Sequence, residues 1–151
     1  MNILCLCLGN ICRSPTAEAV LRAKARAAGL DWRIDSAGTG DWHAGEAPDR
    51  RAQAAARARG YDLSDQRARQ ITARDFHAFD LILAMDGNNM RDAARLAPPD
   101  ARARLHRFLD LAGMDDAGDR GNVPDPWYTG SFDAVLDLIE TAADRVITRL
   151  R

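Results

Sequence analysis

The residues best equipped for chemistry stand at the beginning of the chain, in Cys7-Leu8-Gly9-Asn10-Ile11-Cys12-Arg13-Ser14-Pro15. A Cys-x5-Arg spacing, with backbone N–H groups between the two residues at the start of a helix, makes a nest that favours a bound oxyanion. The same field favours a thiolate at Cys7, the form of cysteine that acts as a nucleophile. Arg13 offers a planar fork able to grip two oxygens of a phosphate, which a lysine cannot do. Ser14 can donate a hydroxyl hydrogen bond to the Cys7 sulfur as that sulfur leaves. Gly9 and Asn10 tolerate the positive φ values of a tight nest. A thiolate beneath a phosphoryl group, facing fixed donors, is suited to nucleophilic phosphoryl transfer. The loop is not a Walker A motif, which would need Gly-x-x-x-x-Gly-Lys-[Ser/Thr].

A nucleophile alone leaves the departing oxygen unprotonated. A general acid contributes a factor of about 10²–10⁴. Asp125, in Val123-Pro124-Asp125-Pro126-Trp127, is the candidate, because two prolines stiffen the loop around its carboxyl.

These groups need a scaffold. Asn2–Leu6 reads as a buried strand ending at the cysteine loop, and Thr16–Ala28 as a helix with Pro15 at its start and Gly29 at its end. Trp32–Ala37 is a second strand, Pro48-Asp49 opens a helix to about Arg59, and Asp75–Phe79 is a short helix. Asp80–Met85 is a third strand, after which Asp86 begins a helix to about Leu96. Leu105–Leu109 is expected as a fourth strand. An acidic loop covers Asp110–Tyr128, and Ser131–Arg151 is a long amphipathic helix capped near Ser131 or Asp133. The alternation predicts a doubly wound α/β domain over 1–151: a four-stranded parallel sheet flanked by helices, with the phosphate loop between strand 1 and helix 1.

Composition narrows the class. The chain has 151 residues, 46% hydrophobic and 28% charged, with 21 basic and 22 acidic side chains for a net charge of -1. That balance points away from nucleic acid and membrane surfaces as partners. Ile3–Leu8 is too short for a signal peptide or a membrane span, so a cytoplasmic location is expected. Cys5, Cys7 and Cys12 are odd in number and crowded, unlike a disulfide framework, and no histidine lies close in sequence to complete a zinc site. No metal or cofactor is called for. Cys5 falls on a strand position and reads as core. His43, His77 and His106 read as surface or loop residues, and Arg50, Arg51, Arg57 and Arg59 as a solvated helix face.

The run Cys7–Pro15 resembles the phosphate loop of the low-molecular-weight protein tyrosine phosphatases. The resemblance extends through Asp35-Ser36-Ala37-Gly38-Thr39, Trp42-His43, Pro48–Ala52, Ala68–Ile71, Phe79–Asp86 and Asp125-Pro126-Trp127-Tyr128. It implies a phosphotyrosine phosphatase with Cys7, Arg13 and Asp125 catalytic. Leu8, Gly9, Asn10, Ile11, Cys12 and Ser14 would shape the phosphate site, and Trp42 and Tyr128 would flank its mouth. Asn10, Ser14 and Ser36 match a supporting hydrogen-bond network, in which Gln66 stands where the family often has a histidine. Ile11 and Tyr128 differ from the protein-arginine phosphatases of this fold, which carry threonine at the loop position and lack the tyrosine. Cys12 is a candidate for a reversible disulfide with Cys7. The implied partner is a phosphotyrosine protein, a tyrosine kinase being one candidate, and the chain is expected to be a monomer or weak homodimer. Two other readings compete: a thioredoxin-coupled arsenate reductase, which needs cysteines beyond Cys12, and a catalytically silent phosphotyrosine-binding module.

Overall fold

The computed structural model describes residues 1–151 and contains four parallel strands in the order β2-β1-β3-β4. The strands are β1 (Asn2–Cys7), β2 (Arg33–Gly38), β3 (Leu81–Ala84) and β4 (Arg104–Arg107). The helices are α1 (Arg13–Ala27), α2 (Arg50–Ala58), α3 (Asp75–Ala78), α4 (Gly87–Leu96), α5 (Phe108–Leu111), α6 (Pro126–Thr129) and α7 (Phe132–Leu150). The doubly wound α/β fold expected from the sequence is present.

Strand order explains where a site can form. From central β1 the chain goes outward to β2, then returns to the other side of β1 for β3 and β4. Connections leaving β1 and β3 therefore diverge to opposite faces, opening a crevice at the carboxyl ends of the strands. The Cys7 loop leaves β1 at that point, and Asp86 follows β3.

Side-chain alternation along β1 sorts the core into two layers. Ile3, Cys5 and Cys7 face a layer built with Val20 and Leu21 of α1 and Leu136, Ile139, Ala143 and Val146 of α7. Leu4 and Leu6 face the other layer, with Phe76, Phe79 and Ala93. Cys5 is fully buried, as its strand position predicts, and burial, the largest influence, pushes its thiol well up.

The element ends refine the sequence reading. The fourth strand ends at Arg107, and Phe108 and Leu109 belong to a helical turn that drives both into the core. Helix α1 begins at Arg13, which puts Pro15 inside its first turn, where an N–H has no helical partner. Ser131 is the N-cap of α7 without a side-chain capping bond, so that helix is held by its packing.

Candidate active site

The loop after β1 folds around the Cys7 sulfur. The Asn10 N–H donates to Cys7 Sγ at 3.2 Å, and Ser14 Oγ lies 3.0 Å from the same atom. The N–H groups of Leu8, Gly9, Ile11 and Cys12 donate to no backbone or side-chain acceptor of the protein, so they remain for an oxyanion. At the loop's end they meet the N-terminus of α1, whose first N–H groups carry partial positive charge. Of the expected glycine–asparagine pair, only Asn10 adopts a positive φ, at 57°. Gly9 matters through close approach instead: a Cβ there would stand 3.1 Å from His43 Cδ2.

A hydrogen-bond chain behind the loop fixes its polarity. Ser36 Oγ donates to Glu18 Oε1 at 2.8 Å and therefore accepts from Asn10 Nδ2 at 3.0 Å. The same Nδ2 donates to Ser14 Oγ at 2.8 Å, while Asn10 Oδ1 accepts from the Arg69 N–H at 3.0 Å. Having accepted from Asn10, the Ser14 hydroxyl keeps its proton for the Cys7 sulfur, its nearest acceptor. Asn10 and Ser14 are buried and support the pocket from behind without lining it. Gln66 reaches Ser36 only at 3.5 Å; its main bond runs from Nε2 to the Pro15 carbonyl at 3.0 Å, tying the first turn of α1. Glu18, absent from the sequence-based site, heads this chain. Burial, the largest influence, holds its carboxyl above the usual glutamate range against the bonds from Ser36 and Arg22.

Arg13 has a side chain only 4% exposed, and its Nη1 is committed to two acceptors: Asp86 Oδ2 at 2.7 Å and the Val123 carbonyl at 2.9 Å. These contacts fix one edge of the guanidinium and leave its other N–H groups for a ligand. Burial opposes the charge on Arg13, but Cys7 and Asp86 outweigh it and raise the group further. Asp125 approaches from the opposite end of the chain, with Oδ2 3.7 Å from Arg13 Nη2. It is the N-cap of α6, and its Oδ1 accepts the Trp127 N–H at 3.1 Å. Asp86 was not anticipated; its place just after β3, beside the loop of the neighbouring strand, was the available signal.

These groups border one cavity of about 280 Å³. Cys7, Arg13 and Asp125 all line it, with Leu8, Gly9, Ile11 and Cys12 beside them. Trp42 and Tyr128 stand at its edge, 70% and 78% exposed, as mouth residues would. Two further walls were missed. Trp127 lines the cavity, and so does His43, whose Nδ1 bonds Glu46 Oε2 and whose ring lies 6.0 Å from that of Trp127. The reading of His43 as an uninvolved loop residue is thus corrected: the β2–α2 loop folds it onto Gly9. The solvated-face reading of the α2 arginines also fails in part. Arg51 lies over aromatic rings, and Arg59 bonds Asp137 and Glu140, each at 2.6 Å. Cys12 packs with Ile11 and Ala68, and burial pushes its thiol well up; all three cysteines are free. No group of three His, Cys, Asp or Glu side chains is arranged to hold a metal ion.

A family model described as low molecular weight phosphotyrosine protein phosphatase matches residues 2–151. The chain belongs to this family. It is 39% identical to the low molecular weight protein-tyrosine-phosphatase YfkJ of Bacillus subtilis, covering 100% of this chain and 96% of the relative. It is 43% identical to a low molecular weight protein-tyrosine-phosphatase of Streptomyces coelicolor, over 97% of this chain and 91% of that one. Among solved structures, an arginine phosphatase of Drosophila superposes with a TM-score of 0.92 at 30% identity, covering 100% of this chain and 98% of that one. Enzyme class follows from this membership: the chain is a low molecular weight protein tyrosine phosphatase. No helix is long and apolar enough to cross a membrane.

Proposed function

We propose that this phosphatase hydrolyses phosphotyrosine and small aryl phosphates through a phosphocysteine on Cys7. The observation that carries the reading is the meeting of Cys7, Arg13 and Asp125 on one cavity, with Asp125 Oδ2 3.7 Å from Arg13 Nη2. In the first step the Cys7 thiolate attacks phosphorus in line. The bond from phosphorus to the aryl oxygen breaks, and the Asp125 carboxyl gives that oxygen its proton. In the second step the Asp125 carboxylate takes a proton from water as the water oxygen attacks phosphorus. The phosphorus–sulfur bond breaks, inorganic phosphate leaves, and the departing thiolate accepts a hydrogen bond from the Ser14 hydroxyl, which keeps its proton. Arg13 and the unspent loop N–H groups hold the equatorial oxygens in both transition states. Aromatic walls at Trp42, Trp127 and Tyr128 suit a phenyl ring with its phosphate held deep.

Leaving-group dependence tests the acid. Asp125→Ala should slow phenyl phosphate hydrolysis about 10²-fold or more and p-nitrophenyl phosphate much less; equal losses would remove Asp125 from the role. Cys7→Ser should abolish turnover of both while phosphate still binds. The Drosophila neighbour raises phosphoarginine as a second substrate. Ile11 and Tyr128 both border the cavity here and favour the aryl ester, so phosphotyrosine should be hydrolysed far faster than phosphoarginine. On the same reading residues 1–151 act as one catalytic domain in the cytoplasm. The partner is a phosphotyrosine protein, a tyrosine kinase among the candidates, and the chain works as a monomer or weak homodimer without cofactor. A reversible Cys7–Cys12 disulfide would protect the nucleophile; sulfinic acid at Cys7 without any disulfide after peroxide would exclude it.

A further inference from the structure

The acid loop is anchored at buried Val123 and Pro126, on either side of Asp125, but the aromatic residue that follows is loosely held. Helix α6 is four residues long, too short to be stable alone, and Trp127 is 44% exposed, so the core does not clamp it. Yet Asp125 must keep a fixed position over the phosphate loop to deliver a proton.

Arg51, from α2, adds a contact at Trp127. Its guanidinium carbon lies 5.4 Å from the Trp127 ring centroid and 4.8 Å from that of Phe132. The two rings come from α6 and the start of α7, on either side of the Gly130 turn. A planar cation against two aromatic faces is attracted to both. The guanidinium is itself oriented: Nε and Nη2 donate to Asp49 Oδ1 and Oδ2, each at 3.2 Å. Asp49 is hydrogen-bonded in turn. Its carboxylate caps α2, accepting the Arg51 N–H at 2.7 Å and the Ala52 N–H at 3.4 Å, and its own N–H donates to the Ile11 carbonyl at 2.8 Å. A continuous path therefore runs from the phosphate loop at Ile11 through Asp49 and Arg51 to Trp127. It ends at Asp125, whose Oδ1 accepts the Trp127 N–H at 3.1 Å.

We infer that Arg51 is a positioning residue: stacked on Trp127 and forked onto Asp49, it locks the Asp125 loop to the phosphate loop so that acid and nucleophile keep one geometry. The inference rests on the assignment of Asp125 as the acid. A purely structural Arg51, joining α2 to α7 through Phe132, would lower stability without touching proton transfer. The two roles separate by leaving group and by background.

The experiment is a double-mutant cycle of Arg51→Ala and Asp125→Ala, with kcat/KM, which reports the steps up to departure of the aryl oxygen, measured on phenyl phosphate and p-nitrophenyl phosphate. Arg51→Ala should reduce kcat/KM about tenfold on phenyl phosphate, as a partly misplaced acid would, and by about twofold or less on p-nitrophenyl phosphate. Added to Asp125→Ala, it should cost nothing further on either substrate, because no acid is left to position. Arg51→Lys, which keeps the charge but loses the planar fork, should fall with alanine. Equal losses on both substrates, an undiminished loss in the Asp125→Ala background, or full rescue by lysine would each overturn the inference. Failure of the underlying assignment is separately visible: Asp125→Ala alone would then affect both substrates equally.

Discussion

Asp86 serves two neighbours with one carboxylate, which makes Asp86→Asn an informative substitution. Oδ1 accepts the Asn89 N–H at 2.8 Å and caps α4, while Oδ2 accepts Arg13 Nη1 at 2.7 Å. An asparagine has one oxygen for these two donors. Whichever it serves, its NH₂ faces the other N–H, donor against donor. With helix capping worth about 1 kcal/mol and a charge-assisted bond about 1.5–3 kcal/mol, the variant should lose about 2 kcal/mol of stability. The Arg13 side chain is only 4% exposed. The nearest other carboxylate is Asp125, 3.7 Å from Nη2. A guanidinium that turns toward Asp125 loses its aim at the phosphate. If the whole 2 kcal/mol is expressed in the transition state, kcat/KM falls about 30-fold at 1.36 kcal/mol per decade. Urea denaturation gives the stability loss, and steady-state p-nitrophenyl phosphate kinetics with inorganic phosphate inhibition gives the functional one. Both kcat/KM and phosphate affinity should drop together. If stability falls while both stay within about twofold of the parent, Asp86 caps a helix and does not aim Arg13.

Glu18 and Gly40 offer simpler tests. Because burial raises the Glu18 carboxyl above the ordinary glutamate value of 4.5, its contribution to stability is fully present below that pH and is lost as pH rises through the folded value. Glu18→Gln removes this titration, so its urea midpoint relative to the parent should improve with rising pH across that window and then level off; parallel curves would contradict the assignment. A Cβ at Gly40 would stand 1.8 Å from Trp42 Cζ3, so Gly40→Ala must displace that ring. Since Trp42 is 70% exposed it can swing away at little cost in stability. KM for aryl phosphates should rise while inhibition by inorganic phosphate stays unchanged, and a parallel change in both would mean the substitution disturbs the phosphate loop itself.

Local residue chemistry made much of this protein legible in advance. A Cys-x5-Arg loop between a strand and a helix offers a nest for an oxyanion, and Asp125 between two prolines was read as the acid a leaving group would need; the structure brings both onto one cavity. Periodicity placed the β/α alternation because burial on both faces of a parallel sheet leaves a strong apolar signal. Boundaries slipped where local and tertiary forces compete: Phe108 and Leu109 look like strand, yet the core claims them from a helical turn. His43 and Arg51 were misread for a related reason. A polar or charged residue on a loop or short helix reads as solvated unless one knows which aromatic ring arrives from elsewhere in the chain. The sequence by itself determined the chemical groups and the order of the elements. Only the tertiary structure decided their partners: Asp86 for Arg13, Glu18 for Ser36, Trp127 for Arg51. Such pairs join residues remote in sequence, and no pattern of spacing encodes a distance that exists only once the sheet's reversal at β1 has folded the chain back on itself.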